Sequence, residues 1–255
     1  MGIHESASKG YAVGADAYVR GRPSYPPEAS DWLREVVGVV PGKRVLDLGA
    51  GTGKFLPVLR TGGASLLALE PVDAMREKLA QSCPDVEVLS GTAERIPLPD
   101  ASIDAIVCAQ AFHWFATAAA LAEMRRILVP AGILGLIWNV RDESVPWVAA
   151  LSEITESFEV AGTPRYRSGA WRSAFPAEGF ALIGERHARN SHVGTPDDVV
   201  VERTLSVSFI AALPMIQRQQ AERQVRDLIE NTPELQGPSV AFPYETVMIT
   251  YVKTD

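Results

Sequence analysis

Three glycines at alternate positions, Gly49, Gly51 and Gly53, end a short apolar run, Val45 to Leu48. The run reads as a buried strand. A helix-compatible segment follows, Lys54 to Arg60, with Pro57 inside it. Strand, glycine turn and helix form the opening of a nucleotide-binding βαβ unit. Glycine suits the turn because a side chain would hold the backbone away from a ligand, and because a sharp turn calls for positive φ. The dinucleotide fingerprint G-x-G-x-x-G would place its third glycine at Lys54 rather than Gly53. An acid, Asp47, also stands two residues before the first glycine. A diphosphate at a helix N-terminus gains from N–H groups and positive potential. An acid there works against a phosphate and suits a ligand carrying an ammonium group.

The rest of the chain narrows the class. At 255 residues, 47% hydrophobic and 22% charged, it has the composition of an ordinary globular α/β protein and not of a disordered one. The net charge of −7 argues against a nucleic-acid partner, which calls for a basic face. Apolar runs are too short to span a bilayer, and Met1 to Gly10 lacks the apolar core of a signal peptide. Cys83 and Cys108 show no zinc-type spacing, so no metal site is expected, and free thiols fit a cytoplasmic protein.

In chain order, Arg20 to Pro27 is a Pro-rich turn before a helix from about Glu28 to Val37. It reads as a surface arm or as a lid, in which Arg22 binds a carboxylate and a tyrosine such as Tyr18 covers a flat ligand. After the glycine turn, a second strand, Ser65 to Leu69, ends at Glu70 and Pro71. An acid about 20 residues past the glycines accepts hydrogen bonds from ribose hydroxyls in this architecture. A third strand, Asp85 to Leu89, runs into a loop held open by Gly91, Pro97 and Pro99, where Thr92, the Ala93 backbone and Glu94 can meet an adenine edge. A fourth strand, Ser102 to Ala109, leads into Gln110-Ala111-Phe112-His113-Trp114-Phe115. A helix over Leu121 to Leu128 carries Arg125 and Arg126 in its last turn, as the helix dipole favours. Pro130-Ala131-Gly132 reads as a turn into a fifth strand, Ile133 to Trp138, ending at Asn139. Alternating apolar strands and helices call for a parallel sheet covered on both faces. From Arg141 the rhythm breaks. Helices are expected over Val145 to Ala161, Val199 to Leu205 and Pro214 to Ile229, and strands over Phe180 to His187 and Phe242 to Val252.

The set Asp47-x-Gly49-x-Gly51-x-Gly53, with Glu70 and the loops after strands three and four, resembles the class I S-adenosylmethionine-dependent methyltransferases. Tyr18, Arg22-Pro23-x-Tyr25-Pro26, Gly91-x-Ala93-Glu94-x-Ile96-Pro97-Leu98 and Gln110 to Phe115 are similar to the type 11 methyltransferase domain of the trans-aconitate methyltransferase-like branch. The resemblance covers about the first 140 residues strongly and the tail loosely. One departure is Thr92, where many members carry Asp against the adenine amino group, so that contact is weakened or passes to the backbone. The resemblance implies a Rossmann-like, doubly wound seven-stranded sheet, mostly parallel with the last strand antiparallel, plus a helical cap. It also implies one domain overall, with an N-terminal lid at 1–30, a cofactor core at 31–140, and cap segments completing the sheet at 141–255.

The implied cofactor is S-adenosylmethionine, leaving as S-adenosylhomocysteine. Gly49, Ala50 and Gly51 give backbone access to its methionine part, and Asp47 orients the amino group. Glu70, followed by Pro71, binds the ribose. Thr92, Ala93 and Glu94 flank the adenine, Gln110 faces the methionine end, Arg22 pairs with the carboxylate, and Tyr18 closes the lid. Methyl transfer from a sulfonium is an in-line displacement that needs alignment and exclusion of water more than a catalytic triad. O-methylation of a small carboxylate or hydroxyl is the expected reaction. His113, just after strand four, is the candidate base for a hydroxyl acceptor, with packing or capping as its other reading. Trp138, Asn139, Arg141, Tyr166 and Trp171 are candidate substrate residues. The small-molecule enzyme is expected as a monomer or homodimer. An NAD-dependent oxidoreductase and a nonenzymatic cofactor-binding protein on the same fold stay open beside this reading.

Overall fold

The computed structural model describes residues 21–159 and 162–255. Seven strands form one sheet: β1 (Arg44–Leu48), β2 (Ser65–Leu69), β3 (Glu87–Leu89), β4 (Ile103–Ala109), β5 (Leu128–Arg141), β6 (Phe180–Gly194) and β7 (Val240–Lys253), in the order β3-β2-β1-β4-β5-β7-β6. The first five are parallel, with Asp47 opposite Ala68 on one side and Val107 on the other. The last strand runs antiparallel to them. Its two ends show this: the Asp142 N–H donates to the Pro243 carbonyl at 3.2 Å, and Lys253 Nζ reaches back to the Leu128 carbonyl at 2.7 Å. The helices in chain order are α1 (Pro27–Trp32, continued by a wide π-type turn over Leu33–Val37), α2 (Leu56–Arg60), α3 (Asp73–Ser82), α4 (Ala118–Ile127), α5 (Pro146–Ser157), α6 (Arg203–Leu205), α7 (Ser208–Ala211) and α8 (Met215–Glu230). This is the Rossmann-like seven-stranded architecture that the resemblance implies.

The chain divides into two compact units. The core unit comprises Tyr25–Trp138, Pro164–Ala188 and Thr246–Asp255. Its interior is built from the apolar strands, the α1 residues Ala29 and Trp32, and Leu56, Leu59 and Leu79 of α2 and α3. Each large apolar side chain buried there contributes about 1.5–3 kcal/mol. Trp32 is placed by two details. Its Nε1–H donates to Thr250 Oγ1 at 2.9 Å, and a Cβ at Gly135 would lie 2.8 Å from its ring, so only glycine in β5 admits it. The second unit comprises the described residues up to Ser24, Asn139–Thr163 and Arg189–Glu245. Trp147, Val148 and Leu151 of α5 pack there with Val199 to Val201, Val225, Phe242 and Tyr244. The buried Arg203 is held by Tyr244, whose hydroxyl accepts from its Nε at 3.1 Å.

Several elements differ from their sequence-based bounds. β5 starts at Leu128 and not at Ile133, because Ala131 takes a φ of 58° and the register against β4 jumps from Ile103↔Leu128 to Ala105↔Ile133. Pro130-Ala131-Gly132 is thus a bulge within the strand. β6 runs to Gly194, well past His187, as an edge strand whose many exposed positions hide it from a search for apolar alternation. α5 stops at Ser157, before the expected Ala161. α7 has no counterpart among the expected elements; Phe209 and Ile210 bury it against Ala221 of α8.

Candidate functional site

The glycine turn is shaped by backbone. After Leu48 the Gly49 and Ala50 N–H groups both donate to the Leu69 carbonyl, at 2.9 and 3.2 Å, so the end of β2 holds the turn. Gly49 has a φ of 77°, and a Cβ there would lie 2.8 Å from the Ala111 Cβ. The left-handed backbone and the approach of the loop after β4 both require glycine at this point. Gly51, at a φ of 59°, faces more open space, with only the Met75 Cε at 3.7 Å from where a Cβ would stand.

Two acids flank the turn. Glu70 is 5% exposed, and both its oxygens accept backbone N–H bonds, Oε2 from Gly51 at 2.8 Å and Oε1 from Val72 at 2.9 Å. Arg76 Nη1 donates to the Glu70 and Pro71 carbonyls at 3.1 and 3.4 Å. Burial raises the Glu70 pKa, and the bonds from Val72 and Gly51 and the Arg76 charge oppose that rise. Asp47 is fully buried, and neither of its carboxyl oxygens has a hydrogen-bond partner. Burial, and then the Glu70 charge, push its pKa up to about 8. The neighbouring Cys108 thiol is pushed well up by burial and by the Asp47 charge. A buried polar group without a partner costs free energy. A cationic or hydrogen-bond-donating ligand is the kind of group that would complete such a carboxyl.

The loop carrying Thr92, Ala93 and Glu94 folds back on itself. Thr92 and Arg95 form a single antiparallel bridge, Ala93 is buried, and Thr92 and Glu94 are half-buried. Gln110 takes a φ of 57°, which few residues other than glycine adopt, and its N–H donates to the Ile137 carbonyl at 2.9 Å. Such a conformation after a strand end is held by its surroundings and concentrates at functional sites.

His113 lies in a short 3₁₀ turn, Phe112–Trp114. Trp138 Nε1 donates to His113 Nδ1 at 3.2 Å. The indole has only a hydrogen to give, so Nδ1 is the acceptor and a neutral ring carries its proton on Nε2. A base role for His113 therefore requires the Trp138 bond to break. Trp138, fully buried, packs at 4.9 Å from Tyr166 and 4.8 Å from Trp171, ring centre to ring centre. Trp171 is 3% exposed and donates from Nε1 to the Tyr166 carbonyl at 2.9 Å. In this structure the two tryptophans are core rings, with Tyr166 stacked on Trp171 and tilted against Trp138.

The core unit thus brings together Asp47, Gly49, Ala50, Gly51, Glu70 and Pro71, and separately His113, Trp138, Tyr166 and Trp171. Thr92, Ala93, Glu94 and Gln110 also lie in the core unit, whereas Arg22, Asn139 and Arg141 belong to the second unit. There Arg22 Nη2 reaches the Ser206 carbonyl at 3.5 Å, Asn139 Nδ2 donates to the Ser24 carbonyl at 3.2 Å, and Arg141 Nη1 lies 3.3 Å from both Ser152 Oγ and Thr155 Oγ1. Tyr18 lies outside the described residues. An open cavity of about 970 Å³ in the core unit, lined in part by Arg125, Glu178 and Lys253, contains none of the sequence-predicted site residues.

Three residues with a part in this region escape the sequence reading. Arg76 braces the end of β2, and Glu123 and Arg126 of α4 hold the loop after β3. The E-x-x-R spacing on a helix is the available signal for the last two. Among the described residues, no group of three or more His, Cys, Asp or Glu is arranged to hold a metal, and no helix is long and apolar enough to cross a membrane.

Residues 46–136 match a methyltransferase domain model. Over 245 residues the chain is 40% identical to an uncharacterized methyltransferase of Mycobacterium tuberculosis, covering 96% of this chain and 95% of the relative. The chain belongs to the S-adenosylmethionine-dependent methyltransferases. An uncharacterized methyltransferase-like protein of Schizosaccharomyces pombe is 32% identical over 240 residues, covering 92% of each chain. The solved geranyl diphosphate C-methyltransferase of Streptomyces coelicolor A3(2), in complex with Mg2+, geranyl diphosphate and S-adenosylhomocysteine, shares the fold at a TM-score of 0.51 and 14% identity, covering 89% of this chain and 79% of its own. The family decides between the readings left open by the sequence in favour of methyl transfer over hydride transfer. The donor set of the glycine turn fits the family's cofactor. Asp47 carries two unpartnered carboxyl oxygens that would suit an ammonium group, and two acids, Asp47 and Glu70, beside the turn suit ribose hydroxyls better than phosphates.

Proposed function

We propose that the chain methylates a small-molecule acceptor at an oxygen, a carboxylate or a hydroxyl, with S-adenosylmethionine as donor. The observation that carries the reading is the fully buried, unpartnered Asp47 carboxyl beside Glu70 at the mouth of the glycine turn. When bound, S-adenosylmethionine supplies an electrophilic methyl group on a sulfonium sulfur. Asp47 takes the ammonium of its methionine part, and the Gly49, Ala50 and Gly51 backbone flanks that part. Each Glu70 oxygen keeps a lone pair beyond its backbone bond, and these accept from the ribose hydroxyls. Thr92, Ala93 and Glu94 meet the adenine edge, and Gln110 faces the methionine end.

An in-line displacement asks the protein to align the acceptor and exclude water. The aromatic group of Phe112, Trp138, Tyr166 and Trp171 supplies a dry wall next to His113. An ionised carboxylate acceptor needs no base. That suits a His113 whose Nδ1 lone pair already serves Trp138. For a hydroxyl acceptor, His113 takes the proton after releasing Trp138.

The test is incubation of the purified protein with S-adenosylmethionine and a panel of small carboxylic acids and phenols, followed by mass spectrometry of the products. A methyl ester or methyl ether, formed with an equal amount of S-adenosylhomocysteine and lost in Glu70→Ala, is the expected result. Methyl groups appearing only on added protein or nucleic acid would overturn the small-molecule reading.

A further inference from the structure

The loop between β3 and β4 has little regular structure of its own, yet one side chain fixes most of it. Arg126, in the last turn of α4, places all five of its N–H donors. Nε and Nη2 form a fork on Glu123, at 2.8 and 2.9 Å. Nη1 reaches the Leu98 carbonyl at 2.8 Å and Asp100 Oδ1 at 2.7 Å, and Nη2 reaches the Ile96 carbonyl at 2.9 Å. Glu123 completes the clamp by accepting the Ile96 N–H on Oε2 at 3.0 Å. Ile96 is therefore held by both its N–H and its C=O. At the other side of the loop, a Cβ on Gly91 would lie 3.0 Å from the Pro97 ring, so the two limbs touch. Thr92, Ala93 and Glu94 are confined between β3 and a pinned Ile96.

We infer that Glu123 and Arg126 are positioning residues for adenine recognition: by fixing Ile96, Leu98 and Asp100 they hold the Thr92–Glu94 span in the shape that reads the 6-amino edge of the base. The inference rests on the proposed cofactor site. Neither residue touches the ligand. Their contribution is pre-organisation, because a span already ordered in its binding shape loses less freedom when the base arrives. Arginine is needed and not merely a cation, since only a planar fork can serve a carboxylate and three further acceptors at once. The helix position matters as well. Thr117 caps α4 by accepting the Ala120 N–H at 3.1 Å, and that fixes where the last turn stands.

Calorimetry with two ligands tests this: S-adenosylhomocysteine, and S-inosylhomocysteine, in which an oxygen replaces the 6-amino group. The wild-type protein, Arg126→Ala, Arg126→Lys and Glu123→Gln are compared, each with its melting temperature. The expected result is a wild-type preference for S-adenosylhomocysteine that falls about tenfold in Arg126→Ala, worth one good hydrogen bond, and part-way in Arg126→Lys and Glu123→Gln. Variants that melt like the wild type and keep the preference within about twofold would overturn the inference, as would equal weakening of both ligands. If Arg126→Ala does not fold, the lysine and glutamine variants decide. A wild-type protein that binds neither ligand would overturn the cofactor site itself, which the variants alone cannot do.

Discussion

Two regions at the carboxyl ends of the parallel strands treat charge in opposite ways. In the loop after β3, each N–H of Arg126 meets an acceptor, and the Glu123 pKa is lowered, chiefly by that arginine. At the end of β1, just before the glycine turn, Asp47 is fully buried with no partner and its pKa is raised to about 8. Glu70 is intermediate, with both oxygens on backbone N–H groups and its pKa raised by burial. A loop whose polar groups are complete within the protein holds a shape. An acid left incomplete beside a turn is what the proposed cofactor would complete.

The sharpest way to break this contrast is to neutralise Asp47. Its raised pKa means that the native state binds its proton more tightly than the unfolded chain does. Its contribution to stability is therefore full below about pH 4 and is lost as pH rises towards 8. The slope is up to about 1.4 kcal/mol per pH unit. Asp47→Asn removes that slope, so urea titrations from pH 4 to 9 are expected to show the variant gaining on the wild type towards alkaline pH while losing affinity for S-adenosylhomocysteine. A variant that tracks the wild type at every pH would mean that Asp47 is already satisfied. Next comes Glu70→Ala, which strips the acceptor from the Gly51 and Val72 N–H groups as well as the one proposed for the ribose. A loss of about 2–4 kcal/mol in stability and at least about tenfold in S-adenosylhomocysteine affinity is expected. Unchanged affinity in a folded variant would reduce Glu70 to a brace for the turn.

Gly49→Ala puts a side chain at a φ of 77° and into the Ala111 methyl, and a destabilisation of about 2 kcal/mol is expected by thermal melting. No loss would show that the approach of the two loops relaxes easily. A further change is Trp138→Phe, which keeps a ring in the aromatic group but removes the bond to His113 Nδ1 and part of the buried indole. It should cost about 1–3 kcal/mol and, for a hydroxyl acceptor, raise activity near neutral pH by freeing that nitrogen. A pH–rate profile identical to the wild type would exclude His113 as the base.

The contrast also explains what was legible in the sequence. The glycine turn is a local pattern: Gly49, Gly51 and Asp47 lie within five positions, and Glu70 follows at a spacing set by one helix and one strand. The clamp is not local. Arg126 stands well downstream of Ile96, and its position in the last turn of a helix has a sufficient explanation in the helix dipole, so its sequence signal points elsewhere. β5 and β6 exceed their expected lengths for related reasons. Pro130-Ala131-Gly132 has the composition of a turn, yet the strand absorbs it as a bulge at Ala131. The edge position of β6 leaves exposed polar residues along most of its length. Trp138 and Trp171 are candidate substrate residues in the sequence, and in the structure their N–H groups are used inside the protein, on His113 and on the Tyr166 carbonyl.

The place held by Asp47 can be tested by counting protons. S-adenosylhomocysteine is titrated into the wild-type protein and Asp47→Asn at pH 7, in buffers of different ionisation enthalpy. A carboxyl with a pKa near 8 that ionises fully against the ligand's ammonium group releases about 0.9 proton per site. The wild type should show that release, and Asp47→Asn should bind more weakly with none. Tight binding by the wild type without proton exchange, or equal binding by both proteins, would contradict the assignment of Asp47 to the cofactor.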